Sequence, residues 1–333
     1  MRGRRLAFVL AGVFWALTPS LTASGQTVRP EESVQELAFA CGGARGGGVE
    51  AWCFETVLAA QAARGGLGLA GTLGGPVPGS ASTLGRRLRS FPRISVAVRG
   101  GLTRLTLPDL SGGRSLPRGE TTSSLTSLTL STSAGLFHGL SLAPTVGGIF
   151  SFDLLGSLHL VSAPESQGFQ DGVKGWGGGA RLGILRESFT LPGISLSATY
   201  HALGESGLGD VEAGDPAQAR FDTDVLSLRG TVGKDLLGVG LLAGLGWDRY
   251  GGSMAVRVLD PDSKLQGGAS VDDFTSRRLL YFAGASMTYL ILQVSAEGGW
   301  ARGFDPDVPG RPGGTFDPAS RTFFGSLGLR ITF

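Results

Sequence analysis

The stretch RTFFGSLGLRITF, residues Arg321–Phe333, decides the fold class of this chain. In a β-strand successive side chains point to opposite faces, so residues of one parity share one face. One parity carries the apolar residues Phe323, Leu327, Leu329, Ile331 and Phe333, and the other carries Phe324, Ser326, Gly328, Arg330 and Thr332. The stretch therefore predicts a strand with one apolar and one mostly polar face, a pattern that a water-soluble sheet could also show.

The same stretch resembles the closing strand of bacterial outer-membrane β-barrels, which ends on Phe with apolar residues at alternate positions before it. The resemblance implies an antiparallel transmembrane barrel in the cell outer membrane, sealed by pairing of this strand with the first one. It also implies that the five apolar residues named above form the signal that the barrel-assembly machinery reads. The resemblance to outer-membrane porins and transporters with an amino-terminal plug covers architecture and carries no substrate motif.

Composition agrees with a membrane barrel. The chain has 333 residues, enough for one large barrel or two soluble domains. Only 17% of the residues are charged and 57 are glycine, which suits many turns and close backbone approaches. Beyond the amino terminus the sequence has no run of 18 apolar residues, which argues against a helical membrane protein, whereas membrane strands dilute their apolar content by alternation.

Residues 1–25 predict a signal peptide, with a basic start, the apolar run LAFVLAGVFWAL and small residues before a cleavage site after Ala23 or Gly25. A retained anchor helix is the alternative, and Pro19 and the short apolar run argue against it. Removing the three arginines of this segment changes the formal charge from +2 to −1, with 26 basic against 27 acidic residues. Nucleic acid is therefore not an expected partner.

Residues 26–92 differ from the rest and predict a helical plug or cap segment with a linker. Two short helices within residues 31–66 are too small to fold alone, so we expect them to dock at or within the periplasmic mouth of the barrel. Cys41 and Cys53, the two cysteines, predict one disulfide in an exported chain. A metal pair is the alternative, but the thiols have no neighbouring histidine in the sequence.

The run GLGLAG, residues 66–71, matches G-x-G-x-x-G. It follows a predicted helix instead of a strand, and no strand–helix unit surrounds it, which argues against dinucleotide binding. We interpret the run as a glycine-rich linker.

From residue 93 to residue 333 the apolar period is two, which predicts the barrel domain. Connections alternate between long polar loops and mostly shorter turns, as in outer-membrane barrels, and an even strand number follows if both termini lie at the short-turn end. Ten strands are predicted, with eight or twelve as alternatives. The predicted segments are 93–107, 121–134, 146–161, 173–186, 193–203, 220–232, 236–256, 274–288, 290–302 and 319–333.

Strand parity predicts which side chains face the lumen. A charge on the lipid face costs about 2–4 kcal/mol at the bilayer midplane, so charged residues on the strands must point inward. Either a structural salt-bridge network or a solute-selecting pore lining would explain them. The predicted lumen residues are Arg99, Asp153, His159, Arg181, His201, Arg229, Asp248, Glu297 and Arg330. An outer aromatic girdle is predicted from Trp176, Tyr200, Trp247, Tyr250 and Trp300.

Three function classes remain at this point. The leading one is a passive pore or transporter for small or hydrophobic solutes, and the second is a non-conducting structural or surface-binding barrel that acts through its extracellular loops. The third is a barrel-embedded acyl hydrolase or transferase using His201 with Ser197 or Thr199, but the sequence lacks G-x-S-x-G, so we do not expect an enzyme.

The remaining expectations concern partners. The lipid bilayer and the assembly machinery are expected partners, a small solute is possible, and no cofactor or resident metal is expected. The acidic long loops could bind calcium, although their spacing matches no defined calcium loop.

Overall fold

The computed structural model describes residues 30–43, 48–88, 91–110, 119–140, 149–170, 172–189, 191–304 and 316–333. The predicted signal peptide lies outside these ranges, so its prediction stays untested. Two helices come first, α1 (Pro30–Gly42) and α2 (Gly48–Gly71). The strands are β1 (Arg86–Leu88), β2 (Phe91–Pro108), β3 (Glu120–Phe137), β4 (Ser151–Ser162), β5 (Val173–Leu185), β6 (Gly193–Leu208), β7 (Ala217–Leu236), β8 (Val239–Gly251), β9 (Met254–Leu259), β10 (Gln266–Val271), β11 (Ser276–Tyr289), β12 (Leu292–Ala301) and β13 (Thr322–Thr332).

Ten of these strands close into an antiparallel barrel, in the order β2 to β8 and then β11, β12 and β13. The closing pair is β13 with β2, from Phe323 opposite Arg104 to Thr332 opposite Ser95. Closure leaves the ten-stranded wall without a free edge, which a sheet needs in lipid because every backbone group must be paired. The predicted fold class and the predicted strand number are therefore confirmed.

The barrel has two different ends. Two-residue turns join β7 to β8 at Leu237–Gly238 and β11 to β12 at Leu290–Ile291, and we call this the short-turn end. Leu237 and Gly238 have φ of 56° and 91°, the left-handed conformation that suits tight hairpins. The opposite end, after β2, β4, β6, β8 and β12, is the long-loop end.

The alternation of side chains follows the prediction. The five apolar residues of one parity in the stretch Arg321–Phe333 are all exposed on the outer surface, while Phe324 and Ser326 are buried. In β12, Val294 and Trp300 face outward and Glu297 faces inward. The wall thus presents apolar side chains outside and mostly polar ones inside.

One predicted strand, residues 236–256, is wrong as a single element. The chain turns at Gly252, whose φ is 129°, so β8 ends at Gly251 and β9 begins at Met254. Strand β9 pairs with the long-loop end of β7, and β10 pairs with β9, so part of a predicted acidic loop is a hairpin. The Asp260 carboxylate stabilises that turn by accepting hydrogen bonds from Ser263 Oγ at 2.5 Å and Ser263 N at 3.3 Å.

The interpretation of residues 66–71 as a linker is also wrong, because α2 continues to Gly71. Glycines here serve close packing. A Cβ added at Gly66 would lie 2.7 Å from Leu105 Cδ1, and one at Gly68 would lie 2.5 Å from Tyr250 Cε1. The helix therefore runs through a space that accommodates only glycine at these positions.

Candidate functional site: a lumen filled by the chain itself

Helix α2 fills the long-loop half of the lumen. Every residue from Ala51 to Gly71 is buried, and its contacts reach strands on several sides of the barrel. Gly66 packs against Leu105 on β2, Gly68 packs against Tyr250 on β8, and Gly71 packs against Leu203 on β6. A helix that touches β2, β6 and β8 within two turns lies inside the barrel.

The expected position at the periplasmic mouth is wrong, because both helices lie in the long-loop half. Helix α1 packs on β9 and β10. Gly48, the first residue of α2, also lies close to this hairpin, since a Cβ there would lie 2.9 Å from Asp260 Oδ2 in the β9–β10 turn. The cause is the path of the chain. Strand β2 starts at the short-turn end, so the residues after α2 cross the other half of the lumen before the wall begins.

Cys41 and Cys53 form the predicted disulfide between α1 and α2. Both residues are buried, and Gly267 on β10 packs against them, since a Cβ there would lie 3.1 Å from Cys53 Sγ. The bridge ties the helix packed on the β9–β10 hairpin to the helix inside the lumen.

We expect iodoacetamide to leave the mass of the unfolded, unreduced protein unchanged, because Cys41 and Cys53 are the cysteines of the chain. After reduction the mass should rise by two carbamidomethyl groups. A Cys41→Ser variant is the control, since its single thiol should react without reduction. Alkylation of the unreduced native sequence would contradict the disulfide.

Residues 72–85, which we call the lumenal segment, run through the short-turn half of the lumen without regular structure. They pass three ion pairs of the wall. The pairs are Arg181–Asp153 at 2.7 Å, Arg229–Asp248 at 2.5 Å and Arg99–Glu297 at 3.6 Å. All six side chains are buried, and each pair joins adjacent or next-but-one strands of the wall.

The arginines of these pairs also hold the backbone of the lumenal segment. Arg99 donates hydrogen bonds to the carbonyl oxygens of Leu73 and Gly75. Arg229 donates to the carbonyls of Thr72 and Gly74, each at 3.3 Å. Because the same guanidinium groups bind carboxylate and carbonyl oxygens, the ion pairs lock the segment in place.

The carboxylates complete this arrangement. Glu297 accepts hydrogen bonds from the backbone N–H groups of Gly75 at 3.0 Å and Gly79 at 2.9 Å. Asp153 accepts one from Leu84 N at 3.1 Å. Each of these two acidic groups of the wall thus binds both an arginine and the lumenal segment.

The predicted residues His159 and His201 form a pair in the middle of the lumen, with Nε2 of His159 3.0 Å from Nδ1 of His201. Ser157 Oγ lies 2.8 Å from His159 Nε2, and Thr199 Oγ1 lies 2.9 Å from His201 Nε2. Within the described ranges neither imidazole has a carboxylate hydrogen-bond partner. The adjacent cavity measures about 50 Å³, space for water and not for an acyl chain.

Arg330 also faces inward, on β13 near the short-turn end, and it is partly exposed. Its Nε and Nη1 atoms are buried and have no hydrogen-bond partner in the described part of the chain. Unlike the other predicted lumen arginines, it has no carboxylate within ion-pair distance among the residues described.

Sequence reasoning missed two lumen arginines and misplaced a tyrosine. Arg64 on α2 donates to the Phe274 carbonyl at 2.6 Å, and Arg278 on β11 donates to the Arg302 carbonyl at 2.7 Å. Tyr250, predicted for the aromatic girdle, is fully buried and donates to Asp248 Oδ2 at 3.2 Å. Tyr250 and Asp248 have the same parity in the sequence, so the predicted inward position of Asp248 also implied an inward position for Tyr250.

The other girdle residues lie on the outer side of the wall. Trp176 and Tyr200 are exposed and in edge-to-face contact, with ring centroids 6.3 Å apart. Trp300 packs on Tyr281 with centroids 5.8 Å apart. Aromatic pairs at the level of the lipid headgroups are typical of membrane barrels.

In the part of the chain that the structure describes, no group of three or more His, Cys, Asp or Glu side chains is arranged to hold a metal ion. None of the described helices has the length and apolar character that crossing a membrane requires.

The chain is similar to several solved structures. The outer-membrane protease OmpT from Escherichia coli is 12% identical, and the match covers 76% of this chain and 100% of that one with a TM-score of 0.37. The transport unit of the autotransporter AIDA-I from Escherichia coli is 11% identical, with coverage of 82% and 98% and a TM-score of 0.38. The translocator domain of NalP from Neisseria meningitidis is 11% identical, with coverage of 72% and 88% and a TM-score of 0.42.

No family model and no curated protein matches the chain. At these identities and TM-scores the likeness to solved structures does not extend to function. The chain's own geometry is more specific, because a closed wall of ten antiparallel strands carries an apolar outer surface and a charged interior. The chain has the fold of an outer-membrane β-barrel, with its own amino-terminal segment inside the lumen.

Proposed function

We propose that this protein is an outer-membrane barrel closed by its own amino-terminal segment, and that its long-loop end is the working surface. The observation that carries the proposal is the burial of α2 in the long-loop half of the lumen. The lumenal segment extends the same closure through the short-turn half.

The outer surface supports the membrane location. Large apolar side chains are exposed on strands all around the wall, including Leu158 on β4, Leu245 on β8 and Leu327 on β13. A continuous exposed apolar surface of this kind is unfavourable in water and favourable in lipid. The signal peptide predicted for residues 1–25 agrees with export.

Packing energy supports the closed state as the resting state. Phe54, Leu58 and Leu67 of α2 are fully buried in a core that also contains residues of the wall and of β9. Withdrawing the helix would expose them at about 1.5–3 kcal/mol for each large side chain. The hydrogen bonds to the lumenal segment would be lost as well.

The working surface would be built on the β9–β10 hairpin, α1 and the long loops. The hairpin extends from the long-loop end of β7, and α1 packs on it. Phe39 of α1 and Leu265 of the hairpin are both more than two-fifths exposed. A surface of this kind binds a partner without any passage through the lumen.

A passive pore or transporter is the second candidate, favoured by buried hydroxyls of the wall. Thr103, Ser123 and Thr223 face α2, and their oxygens have no hydrogen-bond partner among the described residues. Water in an emptied lumen would satisfy these hydroxyls, so the wall also suits an open state. In this candidate the amino-terminal segment leaves the lumen during transport.

Planar-bilayer recording distinguishes the two candidates. We expect the intact protein to give no steady current and a variant lacking residues 26–85, both helices and the whole lumenal segment, to give a steady one. That current should favour anions, because Arg99, Arg181, Arg229 and Arg330 outnumber Asp153, Asp248 and Glu297 on the uncovered wall. Equal currents from the two proteins would contradict the proposal.

A further inference from the structure

We propose that Arg330 is a binding site for a small phosphate-type oxyanion, reached from the short-turn mouth. The side chain points into the lumen near the end of β13 and is partly exposed, so part of it is in contact with solvent. Its Nε and Nη1 atoms are nevertheless buried and lack hydrogen-bond partners within the described ranges. A cation that keeps two buried donors unused is an incomplete binding arrangement.

The charge balance of the lumen also supports an anion site at Arg330. Asp153, Asp248 and Glu297 each pair with an arginine of the wall within 3.6 Å, and Asp153 and Glu297 also accept N–H groups of the lumenal segment. The acidic groups near Arg330 are therefore already paired with other arginines. Arg181 adds a second positive charge in its surroundings, and Glu297 and Asp153 act on it only at longer range.

Gln293 helps to define the ligand. It lies opposite Arg330 in the β12–β13 ladder and is buried on the same inward face. Its Nε2 donates to Gly79 O at 3.2 Å and to Ser286 Oγ at 3.0 Å, whereas its Oε1 is buried without a partner among the described residues. Side chains directly opposite in a ladder are close enough for one small ligand to touch both.

The site thus offers unused donors on a guanidinium group and an unused acceptor on an amide. Guanidinium binds carboxylate and phosphate oxygens through charge-assisted hydrogen bonds. The amide oxygen requires a donor, which a protonated oxyanion supplies and chloride does not. Hydrogen phosphate and dihydrogen phosphate have both properties, so inorganic phosphate is the probe of choice.

The binding test uses the full-length protein in detergent micelles, titrated with inorganic phosphate by calorimetry at constant ionic strength. We expect saturable binding that the Arg330→Gln variant weakens about tenfold or more, since a buried charged partner is lost. Arg321→Gln is the matched control, because Arg321 is an exposed arginine that precedes the same strand. The control should bind like the native sequence, and heat-modifiable migration checks that each variant is folded.

A second measurement needs no variant. Phenylglyoxal modifies accessible arginines, and mass spectrometry follows Arg330 and Arg321 in the same sample. With phosphate at about ten times its dissociation constant, modification of Arg330 should slow about tenfold while Arg321 reacts unchanged. No saturable binding to the native protein, equal binding by Arg330→Gln, or equal slowing at both arginines would overturn the proposal.

Discussion

Replacing Asp153 by asparagine should lower the free energy of unfolding by about 3–5 kcal/mol, because it removes the charge of one partner in a buried ion pair. The side chains of Asp153 and Arg181 are 0% and 1% exposed, and the distance between Asp153 Oδ2 and Arg181 Nη2 is 2.7 Å. Asp153 also accepts the Leu84 N–H, so the loss extends to the lumenal segment. The neutral side chain leaves the Arg181 guanidinium buried without its counter-charge.

Urea titration in lipid vesicles, followed by tryptophan fluorescence, measures this effect. Glu187→Gln is the matched control, because Glu187 and Lys234 form a partly exposed pair with a distance of 4.0 Å. An exposed pair contributes about 0–1 kcal/mol, so this control should stay close to the native stability. Equal losses in Asp153→Asn and Glu187→Gln would mean that burial does not set the strength of the lumen pairs.

Replacing Gly68 by valine should loosen α2 from the lumen. A Cβ at this position would lie 2.5 Å from Tyr250 Cε1 and 3.0 Å from Val225 Cγ2, so the helix and the wall cannot both keep their places. Overpacking of this kind costs about 1–3 kcal/mol. We expect that energy to favour states in which α2 has moved out of contact with β7 and β8.

Trypsin reports the movement, because Arg64 is fully buried in α2 and is cut only when the helix is displaced. Cleavage at Arg64 should accelerate about tenfold for each 1.4 kcal/mol of lost docking energy. Gly100→Val is the control, since Gly100 faces outward on β2 and an added Cβ would meet nothing within 4 Å. Cleavage of Gly68→Val at the native rate would show that α2 does not pack against Tyr250.

The wall of the barrel was predictable because one physical rule acts on every strand. Charges avoid lipid, so a strand such as β12 places Glu297 inside and Trp300 outside, and the alternation is readable from the sequence. The same rule placed Arg99 and Arg181 correctly on the inward face. The carboxylate with which each arginine pairs depends on which strands are neighbours. Strand parity predicts the face on which a residue lies and does not predict its ion-pair partner.

The contents of the lumen were less predictable. Local propensity makes Gly65 and Gly66 a helix end, but α2 continues through them to Gly71. Both glycines pack closely inside the barrel, Gly65 beside Phe304 and Gly66 beside Leu105. The position of the helices in the long-loop half depends on the path of residues 72–85, which hydrogen-bond to distant strands through Gly75, Gly79 and Leu84. Tertiary contacts determine both the length of α2 and the position of the helices in the lumen. A local sequence pattern holds no information about such contacts.

Disulfide trapping tests the central claim that α2 lies inside the barrel. Gly71 packs against Leu203 on the inward face of β6, so a variant with Gly71→Cys and Leu203→Cys should cross-link on mild oxidation and shift its electrophoretic mobility. A variant with Gly71→Cys and Tyr200→Cys should not, because Tyr200 points outward from the same strand. Cross-linking through position 203 alone is the predicted result, and a pair that fails to form at 203, or forms equally at 200, would contradict a lumen closed by the chain's own helix.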